Sequence, residues 1–141
     1  MHPTIHQRER EGITILDLKG KIVLGAGDST FREHVQSLFN EGTRKVILNL
    51  KDVTDLDSAG LGTLVLLATT FRDAGGKLAL LNMSPAHAQL PEVLKLNTVF
   101  EIYHDELDAV NSFFPERKVA HYDILQFVHE IEHDKEGEPK A

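Results

Sequence analysis

Residues 45–65 read KVILNLKDVTDLDSAGLGTLV, and the order of their chemistry decides the fold. The first six form an almost unbroken apolar run, the pattern of a strand buried on both faces of a sheet. Beyond Ser58 the period changes: Leu61, Leu64, Val65, Ala68 and Phe71 recur at helical spacing on one face. AGG at 74–76 ends that helix, and KLALLN at 77–82 is a second buried strand. Two buried strands joined by a helix predict parallel pairing through a right-handed crossover.

The same alternation extends in both directions. ITILDLKG at 13–20 and KIVL at 21–24 read as adjacent strands with a tight turn at Gly20, and residues 4–10 as a polar edge strand. From Asp28 a helical stripe of Phe31, Val35, Leu38 and Phe39 runs to about Gly42, and Thr30 and Glu33 have capping-box spacing. Downstream, Ser84-Pro85 is expected to cap a short helix that Pro91 interrupts or restarts. VFEIY at 99–103 reads as a strand, and 105–114 as a helix with Leu107, Val110 and Phe114 inward. The expected fold is α/β: a mixed sheet in the order βββαβαβαβα, an antiparallel edge from the early hairpin, and helices mainly on one face.

This domain is expected to fill residues 1–114, with 115–141 as an appended segment. The segment carries seven acids and four bases. Within it, Ile124, Phe127, Val128 and Ile131 form the stripe of an amphipathic helix at about 121–133, followed by a charged, disordered end. A stripe that apolar is expected to dock on its own domain or on a second copy, giving a homodimer.

Composition narrows the function. Net charge is −7 and the pI is near 5.5, so the cationic footprint of nucleic-acid binding is missing and anionic membranes should repel the chain. There is no cysteine, hence no disulfide and no thiol chemistry. The N-terminus is too polar for a secretory signal, and LVLLA at 64–68 is far too short to span a bilayer. A soluble, cytoplasmic protein is the expectation.

Two motifs suggest chemistry and are set aside. HEIEH at 129–133 matches H-E-x-x-H, but only eight residues follow it to supply a third zinc ligand, and by helical angle both histidines would point away from the apolar stripe. GAGDST at 25–30 lacks the third glycine of a dinucleotide loop and the Gly-Lys-Ser/Thr end of a P-loop. No G-x-S-x-G elbow surrounds Ser58. No catalytic residue, metal or cofactor is expected, and the chain does not read as an enzyme.

The junction at 53–62 remains. Asp57 or Ser58 should cap the helix. Gly60 and Gly62 then loosen its first turns, at up to about 1 kcal/mol each relative to alanine. Bare backbone there would let another chain approach closely. A hydroxyl at such a tip is exposed, and the helix dipole favours a phosphate on it. Together these features suggest a contact site switched by charge.

GITILDLKGKIVLGAGDSTFREHV, KVILNLKDVTDLDSAGLGTLV, GGKLALLN and LKLNTVFEIY resemble the STAS domain of bacterial anti-sigma factor antagonists over about residues 5–114. The resemblance implies binding to an anti-sigma factor, a serine kinase of the histidine-kinase-like ATPase type, which frees a sigma factor. It implies that phosphorylation of Ser58 breaks the complex and that a serine phosphatase restores it. Asp28 matches the acidic position beside that serine. Thr54, Asp55, Asp57, Ala59, Gly60 and Leu61 match the contact loop and helix tip. Pro91 and the tail beyond Phe114 depart from the family pattern. The alternative is a STAS scaffold or an accessory subunit of a larger sensory or transporter complex. Such relatives often carry extra domains or lose the serine, whereas this chain keeps Ser58 and shows neither sensor domain nor spans.

Overall fold

A computed structural model describes residues 3–83 and 101–117. The expected helix at 84–91, the amphipathic helix at 121–133 and HEIEH lie outside the described residues. The first elements are β1 (Thr4–Arg10) and β2 (Ile13–Ile22), an antiparallel hairpin turning at Glu11 and Gly12. Both turn residues have positive φ, 53° and 83°, as two-residue hairpins with a right-handed twist require. Next come α1 (Ala26–Asn40), β3 (Lys45–Leu56), α2 (Ser58–Asp73) and β4 (Lys77–Leu81). β5 (Ile102–Tyr103) and α3 (Glu106–Asn111) follow. The five strands lie in sequence order across one sheet, and every pairing after the hairpin is parallel.

Gly20 does not end a strand. Its φ of 108° sits at a register irregularity against β3, and the chain bends there without leaving the sheet. KIVL is therefore not a separate strand: its first two residues finish β2, with Ile22 fully buried. The antiparallel edge is present, but residues 4–10 form it rather than 21–24. α1 also starts earlier than its capping box implies. Gly25, at φ 103°, occupies the N-cap without a side-chain hydrogen bond, so Thr30 lies inside the helix instead of capping it.

The sheet has an apolar core on each face. On one side Leu16, Leu48, Leu50 and Leu80 meet Phe31 and Val35 of α1 and Leu61, Leu64 and Phe71 of α2. Phe39 and Phe71 join the two helices edge to face at 5.1 Å. On the other, Ile13, Ile15, Ile47 and Tyr103 pack against Ala109 and Val110 of α3. Helices thus cover both faces, two on one side and α3 on the other. Leu107 is not inward as expected but 48% exposed, because a helix of six residues buries only a narrow strip. Among the described residues no helix is long and apolar enough to cross a membrane.

Where the α3-side core gives out, a polar network takes over. Arg8 donates two hydrogen bonds to Asp17 at 2.7 and 3.1 Å and two to Glu106 at 3.0 and 2.6 Å. Arg10 adds one to Glu106 at 2.7 Å, and Asn49 one to Asp17 at 2.8 Å. The hairpin is thereby fastened to α3, nearly a hundred residues away. Hydrogen bonds from Arg8 are the main reason that Asp17 and Glu106 ionise below their ordinary values of 3.8 and 4.5. A depressed carboxyl pKa stabilises the fold above the unfolded-state value, and that stability is lost as pH falls through the folded one. Arg8→Met should cost on the order of 1–2 kcal/mol at neutral pH, since these groups are only partly buried. The variant should also flatten the decline in stability below about pH 4.5, measured by urea unfolding at several pH values. An unchanged acid limb would show that the network does not couple α3 to the hairpin.

Candidate functional site

Strand β3 runs beyond its apolar run because Val53 and Leu56 keep turning inward, at 6% and 7% exposure. Thr54 and Asp55 therefore lie on an ordered strand end rather than a loop, with both side chains exposed. Asp55 pairs with Lys21 of β2 at 3.5 Å.

Asp57 follows in an extended conformation and is the N-cap of α2. One carboxylate oxygen accepts from the Gly60 N–H at 2.9 Å, the other from the Leu24 N–H at 3.1 Å. These two backbone bonds, the Gly60 one foremost, hold the Asp57 carboxyl below the ordinary carboxylate range. A single side chain thus caps α2 and ties the loop before α1 to its tip. The choice between Asp57 and Ser58 as cap falls to Asp57. Ser58 becomes the first helical residue, and it is exposed.

The two glycines have opposite roles. Gly60 is buried: a Cβ there would lie 2.3 Å from the Ile22 carbonyl oxygen and 2.8 Å from Leu56 Cδ1. It exists so that the end of β2 can back onto the first turn of α2, and the expected bare landing surface is absent at this position. Gly62 is exposed and has open space around it, so the bare backbone lies there. Leu61 is 2% exposed and belongs to the core. Ala59 is half-buried.

Of the residues matched to the contact region, Thr54, Asp55 and Ser58 thus face solvent together, whereas Gly60 and Leu61 support them from below. Asp28 falls in the first turn of α1, and its expected proximity to Ser58 lies outside the described side chains. Lys21 and Leu24 escaped sequence reading, since a strand read as ending at Gly20 gave them no place beside α2. Among the described residues no group of three or more His, Asp or Glu could hold a metal ion. The site offers an exposed hydroxyl on a capped helix start, suited to recognition and modification.

The family model described as the STAS domain matches residues 4–109, and the chain belongs to that family. Among known proteins it resembles the Anti-sigma F factor antagonist of Paenibacillus polymyxa. Identity is 23% over 110 residues, covering 78% of this chain and 94% of that one. Its fold is shared by a Thermotoga maritima protein provisionally described as an anti-sigma factor antagonist. That pair has a TM-score of 0.70 at 22% identity, over 77% of this chain and 92% of the other. The phosphorylated form of the Bacillus cell fate determinant SpoIIAA is also similar, at a TM-score of 0.60 and 18% identity, over 78% of this chain and 99% of SpoIIAA.

Proposed function

We propose that this STAS domain is a cytoplasmic anti-sigma factor antagonist, a binding module rather than an enzyme, whose docking is switched by phosphorylation of Ser58. It binds an anti-sigma factor serine kinase of the histidine-kinase-like ATPase type and thereby releases a sigma factor. A serine phosphatase resets it. The observation that carries this reading is the division of labour at the start of α2: Asp57 takes the cap, and the Ser58 hydroxyl stands exposed on the first turn. A phosphate there is compatible with the helix dipole. The relatives' names point the same way. The partner surface comprises Thr54, Asp55, Asp57, Ser58 and Ala59, with Asp28 at its border and Gly60 and Leu61 holding it in shape. Incubation of wild type and Ser58→Ala with the anti-sigma kinase of the same organism and ATP, followed by mass spectrometry, tests the assignment. Phosphate should appear on Ser58 and be missing from the variant. Phosphate on a different residue would refute the switch.

The extension belongs to the same proposal. Arg117 is tied to Glu11 at 3.0 Å and stacks over Phe114, so the domain holds the chain at least to this point. Residues beyond it, with their apolar stripe, are proposed to dock on the domain or on a second copy. Truncation after Arg117 should lower the melting temperature or change the mass seen by sedimentation. If both stayed constant, the segment would be a free tail.

A further inference from the structure

From Ser58 to Phe71, fourteen residues, α2 contains no charged side chain. Helices with one face in water normally carry charges there. Here the outward positions are Ser58, Gly62 and Leu66, flanked by half-buried Ala59, Val65, Thr69 and Thr70. Even the Thr70 hydroxyl turns back, donating to the Leu66 carbonyl at 2.9 Å. Leu66 is 51% exposed, and Leu24, in the loop fastened to Asp57, is 78% exposed. Among the described residues, charges flank this face at its two ends, as Lys21 and Asp55 at one and Arg72 and Asp73 at the other. An uncharged centre with a charged rim is the anatomy of a protein interface.

From this we infer that docking extends from Ser58 along the whole outward face of α2, and that Leu24 and Leu66 are its apolar anchors. The occupant is the anti-sigma factor, through an uncharged apolar groove, and the inference rests on the reading proposed above. Two observations favour that occupant. The patch is continuous with the Ser58 tip, so a modification there reports directly on it. A second copy seated on the same face would cover Ser58 and bar the kinase from it. Residues 58–71 carry no cation, which disfavours anionic lipid or nucleic acid as the occupant of the centre of the patch.

The test titrates the full chain against the purified anti-sigma kinase of the same organism, loaded with ADP so that no phosphate is transferred. Leu24→Asp and Leu66→Asp should each weaken binding by about tenfold or more, the loss typical of an interface anchor. Leu107→Asp, on the opposite face of the sheet, should bind like wild type. Circular dichroism and melting temperature should be unchanged in all three, and Leu66→Ser serves if the aspartate perturbs the helix. If both leucine variants bind like wild type while Ser58→Asp does not, the anchors are wrong and the functional reading stands. If wild type itself fails to bind, both fall. A wild-type dimer made monomeric by Leu66→Asp would assign the face to a second copy and overturn the inference.

Discussion

Ser58→Asp should keep the fold and lose the partner. The side chain is exposed on the first turn of α2, and the cap is supplied by Asp57, so substitution there removes no structural hydrogen bond of the cap. Negative charge at a helix N-terminus is tolerated or mildly favourable. The docking surface is affected differently. Phosphorylation adds about −1.5 to −2 charge near Asp55 and Asp57, at the start of a helix stretch, 58–71, that carries no charge of its own. Desolvating that charge against an apolar partner should cost about 3 kcal/mol, roughly a hundredfold in Kd, for the phosphorylated protein. The aspartate variant should lose somewhat less, having one charge and less bulk. Calorimetric titration of wild type, phosphorylated wild type, Ser58→Asp and Ser58→Ala against the anti-sigma factor measures this directly. Affinity unchanged by the phosphate would refute electrostatic exclusion as the switch.

The largest effect on stability should come from Gly60→Ala. On helix propensity alone alanine would gain about 1 kcal/mol. The added methyl, however, would sit 2.3 Å from the Ile22 carbonyl oxygen, a backbone atom that moves only if the end of β2 moves. Forced overpacking of this kind typically costs about 1–3 kcal/mol, and contact with backbone puts it at the upper end. The expected net loss is about 2 kcal/mol, seen as a melting temperature lower by roughly 10 °C for a domain of this size. Gly62→Ala is the matched control: its Cβ would meet nothing within 4 Å, so the propensity gain should appear undiminished. Equal melting temperatures for the two alanine variants would disprove the packing account.

The contrast between these glycines marks where sequence reading stops. Spacing of Leu61, Leu64, Ala68 and Phe71 places α2 and its buried stripe correctly, because an inward face imposes a period. The continuous apolar runs of β3 and β4 are equally plain. Gly60 and Gly62 look alike in the sequence, however, since the atom that distinguishes them is the Ile22 carbonyl, some forty residues earlier. Gly20 misleads for a related reason: a positive φ serves a turn or a bulge equally well, and the pairing of β2 with β3 selects the bulge. α1 begins on a glycine whose side chain cannot advertise a cap, so its first turn is invisible to capping rules. The bond between Arg8 and Glu106 is pure tertiary structure. At the candidate site, residue chemistry singles out Ser58 as an expectation, and geometry divides its neighbours into exposed Thr54 and Asp55 and buried Gly60 and Leu61.

Asp57 also restricts how this sequence can drift. Its two oxygens serve two donors on different elements, Gly60 in α2 and Leu24 in the loop before α1. Asparagine offers one carbonyl oxygen, while its amide nitrogen would face an N–H donor. Serine offers a single short hydroxyl, and glutamate carries its two oxygens a methylene too far. Only aspartate answers both demands at this position. A lineage that retuned the loop around Leu24 for a new partner would therefore have to keep Asp57 fixed, and would find its freedom in Lys21, Leu24 and Leu66 instead.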